Sequence, residues 1–168
     1  MSNYFSEASK TGEQTVRWLS PHTGMLAEHR MRYDLFNVET DRFPYPDDHF
    51  DVILFCEVLE HLTNDPLSAL KEIRRVLKPG GKLVLTTPNV ACSKNVLKIV
   101  QGKNVNDRYS AYGPYGRHNR EYTLSEVKAI LDVAGFTTAN IFTANVLFPR
   151  TSQLIANFAA EVLFSLFS

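Results

Sequence analysis

Residues 47–89, DDHFDVILFCEVLEHLTNDPLSALKEIRRVLKPGGKLVLTTPN, admit few architectures. Phe50–Cys56 is a short, nearly continuous apolar run with Val52, Ile53, Leu54 and Phe55 at its centre, as expected of a strand covered on both faces. Asp65 offers a side-chain oxygen as an N-cap, and Pro66 suits the first helical position, where its missing N–H is not needed. Leu67, Leu70, Ile73 and Leu77 recur at helical spacing, while Lys71, Glu72, Arg74 and Arg75 point elsewhere. Lys78-Pro79-Gly80-Gly81 stops the helix, because proline cannot continue it and glycine accepts positive φ. Residues 82–87 then form a second strand, closed by Pro88. A strand, a helix and a parallel strand make a βαβ unit with a right-handed crossover, which places the chain among α/β folds.

The 168 residues suffice for one domain with a real core, and a single domain over 1–168 is expected. Lys+Arg and Asp+Glu both number 18, so no net field draws in a phosphate backbone, and nucleic-acid binding is not favoured. Cys56 and Cys92 form neither a close pair nor a metal-type spacing, and read as reduced thiols. No apolar leader opens the chain, and no apolar run approaches the ~20 residues of a membrane span. A cytoplasmic location is the default.

The flanks are less regular. Residues 1–33 read as a loosely packed segment, with short helices over 9–19 and 25–32 and a turn at Pro21 and Gly24. Residues 31–38 are a candidate strand, followed by the stiff connection Phe43-Pro44-Tyr45-Pro46. A helix is expected within 90–102, another after a cap at Thr123 or Ser125, and a strand within 136–147. The tail, 151–168, places Leu154, Ile155, Phe158, Ala159, Val162, Leu163, Leu166 and Phe167 on one stripe and predicts a helix packed on the core. Between these lies 104–122, rich in Tyr, Arg and His, with Gly113, Pro114 and Gly116 making it a loop. A loop of that length reads either as a lid over a ligand or as a surface loop whose tyrosines pack on their neighbours.

Glu57-Val58-Leu59-Glu60-His61-Leu62 follows the first strand, at the edge where open α/β sheets place ligands. His61 has the titration range of a general base. It can equally hold the loop through a hydrogen bond, and that structural role is the favoured one. Glu57, Glu60 and His61 crowd one turn too closely to converge on a cation, so no metal site is assigned to them.

FPYPDDHFDVILFCEVLEHL followed by EIRRVLKPGGKLVLTTPN resembles the central part of class I S-adenosylmethionine-dependent methyltransferases, most closely the small-molecule, ubiquinone-biosynthesis-like group. The resemblance runs from about residue 33 to 136. It implies a Rossmann-like, mostly parallel sheet with helices on both faces, S-adenosylmethionine as cofactor and a small-molecule methyl acceptor. Asn37, Val38 and Glu39 would face the adenine, with Asn37 where the family usually has aspartate. Asn37 can accept from an amino group, or can simply close a turn at the strand end. Cys56 and Glu57 would line the cofactor side, and His61 the acceptor pocket. An insertion at 104–122 covers the acceptor in the family, which points to Tyr112, Tyr115, Arg117, His118 and Arg120 as its contacts.

The family's opening strand, glycine-rich turn and helix have no counterpart here. Only Gly12 and Gly24 precede Asn37, and no two glycines are separated by one residue. The sheet is therefore expected to be incomplete on its N-terminal side and to stop before the family's last strand. Two functions stay open: a methyltransferase acting on a small metabolite, and a truncated or non-catalytic methyltransferase-like domain serving as a partner or structural subunit. A sheet without its usual neighbours exposes an edge, which favours a homo-oligomer.

Overall fold

The computed structural model describes residues 11–20, 23–106, 113–145 and 161–167. Strand β1 (Thr11–Leu19) and strand β2 (Leu26–Asp34) form an antiparallel hairpin, with Thr11 opposite Asp34 and Leu19 opposite Leu26. Both short helices expected here are strands instead. The strands are joined by a turn in which the Ser20 amide donates to the Met25 carbonyl at 2.9 Å and Gly24 takes a φ of 66°, while Pro21 lies outside the described residues. Strand β2 also ends earlier than the 31–38 pattern implied. Tyr45 ties the hairpin to the rest of the chain, its hydroxyl donating to Asp34 Oδ2 at 2.7 Å.

Strand β3 (Phe50–Cys56), helix α1 (Pro66–Val76) and strand β4 (Leu77–Pro88) form the expected βαβ unit, with β3 and β4 parallel. Asp65 accepts from the Leu67 amide at 2.9 Å, so the cap is real. Leu70, Ile73 and Val76 are fully buried against Leu83 and Leu85 of β4 and Phe55 of β3. Helix α1 ends at Val76, and Gly80 takes a φ of 76°. The Lys78–Gly81 turn is absorbed into the start of β4, where the pairing with β3 shifts register between Phe50 and Val52. Arg75 clamps the connection that leads into β3. Its Nη1 donates to the Tyr45 carbonyl at 3.0 Å and to Asp47 at 2.7 Å, and its Nη2 donates to the Phe43 carbonyl at 3.1 Å and to Glu72 at 2.7 Å.

Helix α2 (Ser93–Val100) and helix α3 (Leu124–Val133) follow. Thr123 and Glu126 close a capping box at the start of α3, and Val127 and Leu131 enter the core beside α1. Strand β5 (Thr138–Asn145) and strand β6 (Glu161–Phe167) complete a four-stranded sheet in the order β3-β4-β6-β5. Strand β6 runs antiparallel to both its neighbours, so β3, β4 and β5 all point the same way, but the sheet is mixed, with only the β3–β4 pairing parallel. The helix expected over 151–168 is a strand over 161–167, and the rest of that stretch lies outside the described residues. The sheet therefore does not stop at β5, as the sequence pattern implied. Strand β3 forms one edge of the sheet, and Val52 and Leu54 are exposed on it at 53% and 70%.

Candidate functional site

The carboxyl ends of β3 and β4 gather several polar and titratable side chains. Strand β3 delivers Cys56, which is exposed and unpaired by disulfide, and then Glu57 in the left-handed region at φ 55°. That conformation disfavours residues other than glycine, asparagine and aspartate, so Glu57 is held there by its contacts. Its amide donates to the Thr86 carbonyl at 2.9 Å, and its carboxylate accepts from the Thr86 hydroxyl at 2.8 Å. The kink turns the chain into a 3-10 turn, Leu59–His61, which drives Leu59 and Glu60 inward.

Glu60 has no exposed surface. Its Oε2 accepts from the Thr87 hydroxyl at 2.9 Å, whereas the buried Oε1 has no hydrogen-bond partner. Burial pushes its carboxyl above the ordinary glutamate value, against the hydrogen bonds from its own backbone and Thr87, with the Glu57 charge adding to the rise. His61 Nδ1 lies 2.9 Å from the Arg117 carbonyl. A carbonyl only accepts, so Nδ1 carries the proton there. The second ring nitrogen of His61 stands 3.8 Å from Glu60 Oε1.

Residues 117–121 are fastened over this turn. The amides of Asn119 and Arg120 donate to the Glu60 carbonyl at 2.8 and 3.3 Å, and Asn119 Nδ2 donates to the His61 carbonyl at 2.9 Å. His118 stacks edge-on against His61, with ring centroids 5.0 Å apart, and its Nδ1 donates to Glu121 Oε1 at 2.9 Å. Glu121 is held in turn by Asn95 Nδ2 at 3.0 Å. Arg120 turns away to Glu126 at 2.7 Å, with its guanidinium over the Tyr122 ring. Of the other expected acceptor contacts, Tyr112 and the Tyr115 side chain lie outside the described residues.

The Asn37–Glu39 loop adjoins residues 63–64, which follow the turn. Asn37 Oδ1 accepts from the Glu39 amide at 2.9 Å, which makes it a turn-closing residue. Val38 packs against the core. Glu39 is buried, and its carboxylate accepts from the Thr63 amide and hydroxyl and from the amide and side chain of Asn64. It thereby anchors residues 37–41 to the loop that precedes α1. The structure thus brings together Glu57, His61, Arg117 and His118 and adds Glu60, Thr87, Asn119 and Glu121. Spacing within HNRE held a sign of this, because His118 and Glu121 are three residues apart.

Residues 6–140, well over half of the chain, match the methyltransferase domain family. The chain belongs to that family. It is 43% identical over 47 residues to a ubiquinone/menaquinone biosynthesis C-methyltransferase of Cupriavidus necator, covering 28% of this chain and 19% of that protein. It is 28% identical over 130 residues to a ubiquinone biosynthesis O-methyltransferase of Parvibaculum lavamentivorans, covering 76% and 48%. The chain thus spans from about a fifth to about half of the length of these relatives. Its fold is similar to that of an S-adenosylmethionine-dependent methyltransferase from Mesorhizobium loti, with a TM-score of 0.55 at 16% identity over 81% of this chain and 68% of the other. A SAM-dependent methyltransferase from Thermotoga maritima gives 0.54 at 21% identity, over 79% and 62%. No helix among the described residues is long and apolar enough to cross a membrane.

Proposed function

We propose that this chain carries the acceptor side and the adenine-side edge of a methyltransferase that moves a methyl group from S-adenosylmethionine to a small-molecule metabolite, in the cytoplasm. The observation that carries the reading is the strand-end arrangement, in which an exposed Cys56 and a kinked Glu57 stand beside a His61 braced by Arg117. His61 is positioned by that contact. Arg117 and His118 border the same space, and Tyr112, Tyr115 and Arg120 extend the candidate acceptor wall by resemblance.

The described residues fit only part of the cofactor. The glycines among them stand in the hairpin, in the turns after α1, α2 and α3, and in the 113–116 segment, and none follows a strand of the main sheet in a strand–turn–helix. The close backbone approach to the methionine end is therefore not supplied by them. A hydrogen bond to a charged partner contributes roughly 1.5–3 kcal/mol. Losing two or three weakens binding about a thousandfold, from micromolar to millimolar. Titration of the chain with S-adenosylmethionine, followed by amide NMR, tests this. Shifts confined to 37–39 and 56–61 with a millimolar midpoint are expected. No shifts there at saturation would remove the methyltransferase reading. Micromolar binding would mean that the chain supplies a cradle without the glycines.

A second reading, a methyltransferase-like partner subunit, is favoured by the open β3 edge with Val52 and Leu54 exposed. It calls for self-association or capture of another chain along β3. Sedimentation showing a monomer at every concentration would count against the homo-oligomer.

A further inference from the structure

The Glu60 carboxylate raises a question that methyl transfer does not answer. A fully buried acid keeps one oxygen bonded to Thr87 and leaves the other, Oε1, without a hydrogen bond. Groups of this kind are rare in folded proteins, because an unpaired buried oxygen costs free energy. Oε1 lies 3.8 Å from the second ring nitrogen of His61. One ligating atom from each of Glu60, His61 and His118 lies within 4.8 Å of the others.

We propose that Glu60, His61 and His118 form a binding site for a divalent transition-metal cation. The surroundings of both rings follow the pattern of metal-bound histidines, in which the nitrogen away from the metal donates to a carbonyl or carboxylate. His61 gives its Nδ1 proton to the Arg117 carbonyl, and His118 gives its own to Glu121, which Asn95 holds in place. Those bonds fix each tautomer so that Nε2 is the coordinating atom. Thr87 plays the matching part for Glu60 by fixing one carboxylate oxygen. Nor is the cluster a product of local sequence: His118 reaches it because Asn119 is pinned to the backbone of both Glu60 and His61.

Two imidazoles and one carboxylate favour zinc, manganese, iron or cobalt over magnesium or calcium, which prefer all-oxygen sites. Bonds of ~2.0–2.1 Å to a tetrahedral ion would bring the donors to about 3.4 Å of one another, so the site tightens on loading. The partly exposed side chains of His61 and His118, at 32% and 31%, have the freedom to do so. Three protein donors leave one or more positions for outside ligands. On the methyltransferase reading these would take oxygens of the acceptor, which gives the site a preference for hydroxylated or carboxylated metabolites. Only that last step rests on the proposed function; the cation site stands on its own geometry.

The test uses the full metal-free chain, titrated with Zn2+ by calorimetry and with Co2+ by visible absorption, with no S-adenosylmethionine present. One ion per chain is expected, with a Co2+ spectrum of nitrogen and oxygen ligation. His118→Asn should weaken Zn2+ binding at least tenfold while circular dichroism stays unchanged. Glu121→Gln should weaken it by about 10–100-fold through loss of the orienting bond. His49→Asn, whose ring stacks on Tyr45 away from the cluster, should leave binding unchanged. Absence of Zn2+ and Co2+ binding at millimolar concentration would overturn the proposal. So would binding that His118→Asn and Glu60→Gln leave intact, since that would locate the ion at other donors, such as Cys56 or Cys92.

Discussion

His61 Nδ1 and the carbonyl of Arg117 meet at 2.9 Å across 56 residues of sequence, and this contact joins the strand-end turn to the segment that lies over it. The amides of Asn119 and Arg120, both bonded to the Glu60 carbonyl, should therefore exchange slowly with solvent deuterium. His61→Ala should speed exchange at both while leaving the central strands unchanged. Fast exchange of Asn119 in the native chain would show that residues 117–121 lift off readily, as a freely moving lid would.

Leu70 has no exposed surface and faces β4 from the middle of α1. Leu70→Ala should lower stability by ~2–5 kcal/mol, the range for emptying a close-packed leucine site. Urea unfolding measures it. A loss under about half a kcal/mol would mean that the site collapses or that the helix packs elsewhere.

The Arg75 guanidinium holds the Glu72 carboxyl below its ordinary value, chiefly by hydrogen bonding. A depressed folded-state value contributes stability that is present above the unfolded glutamate range, and it is lost as pH falls through the folded value. Unfolding midpoints should therefore drop below about pH 4.5, the usual glutamate value. Arg75→Met should flatten that part of the acid limb. It should also cost about 1–3 kcal/mol at neutral pH, because the Phe43 and Tyr45 carbonyls lose their donor.

Burial first, and then the Asp34 carboxylate that it bonds, push the Tyr45 hydroxyl up from 10.0 to about 12. Since the folded chain keeps this proton longer than the unfolded one, stability should decline as pH rises from about 10 towards 12. Tyr45→Phe should remove that decline. Denaturant midpoints on the two proteins across this window settle it, and identical slopes would refute the assignment.

The βαβ unit was legible because each of its signals was local and they agreed: an apolar run, an acid before proline, a helical stripe and a glycine pair. The N-terminal hairpin was not. Glu13, Gln14, Glu28, Ala27 and Met31 favour helix by intrinsic preference, and most of both strands is exposed, so no buried face imposed an alternation of two. Only the turn between them, set by Gly24, could be read. The tail failed for a related reason. Short apolar runs such as VLFSLF fit a helix and a strand equally well, and pairing on both sides decides between them.

At the site, the residue types were visible and their company was not. Glu60 and His61 drew notice with Glu57, yet Glu57 turns to Thr86 and the third member of the cluster is His118. The resemblance implies a cofactor edge at Asn37 and Glu39, whereas in the structure their polar atoms hold two loops together. Such roles come from contacts many residues apart, which spacing alone does not encode.

Strand β6, the last of the described strands to be synthesised, lies between β4 and β5 in the interior of the sheet. A chain emerging from the ribosome can build β3, α1 and β4 early, since these are neighbours in sequence. It must then wait, with β4 and β5 both presenting open edges, until residues 161–167 arrive to fill the gap. Loss of those few residues would leave a slot with the shape of a strand. A synthetic peptide of the same sequence, added in trans, should then restore the sheet.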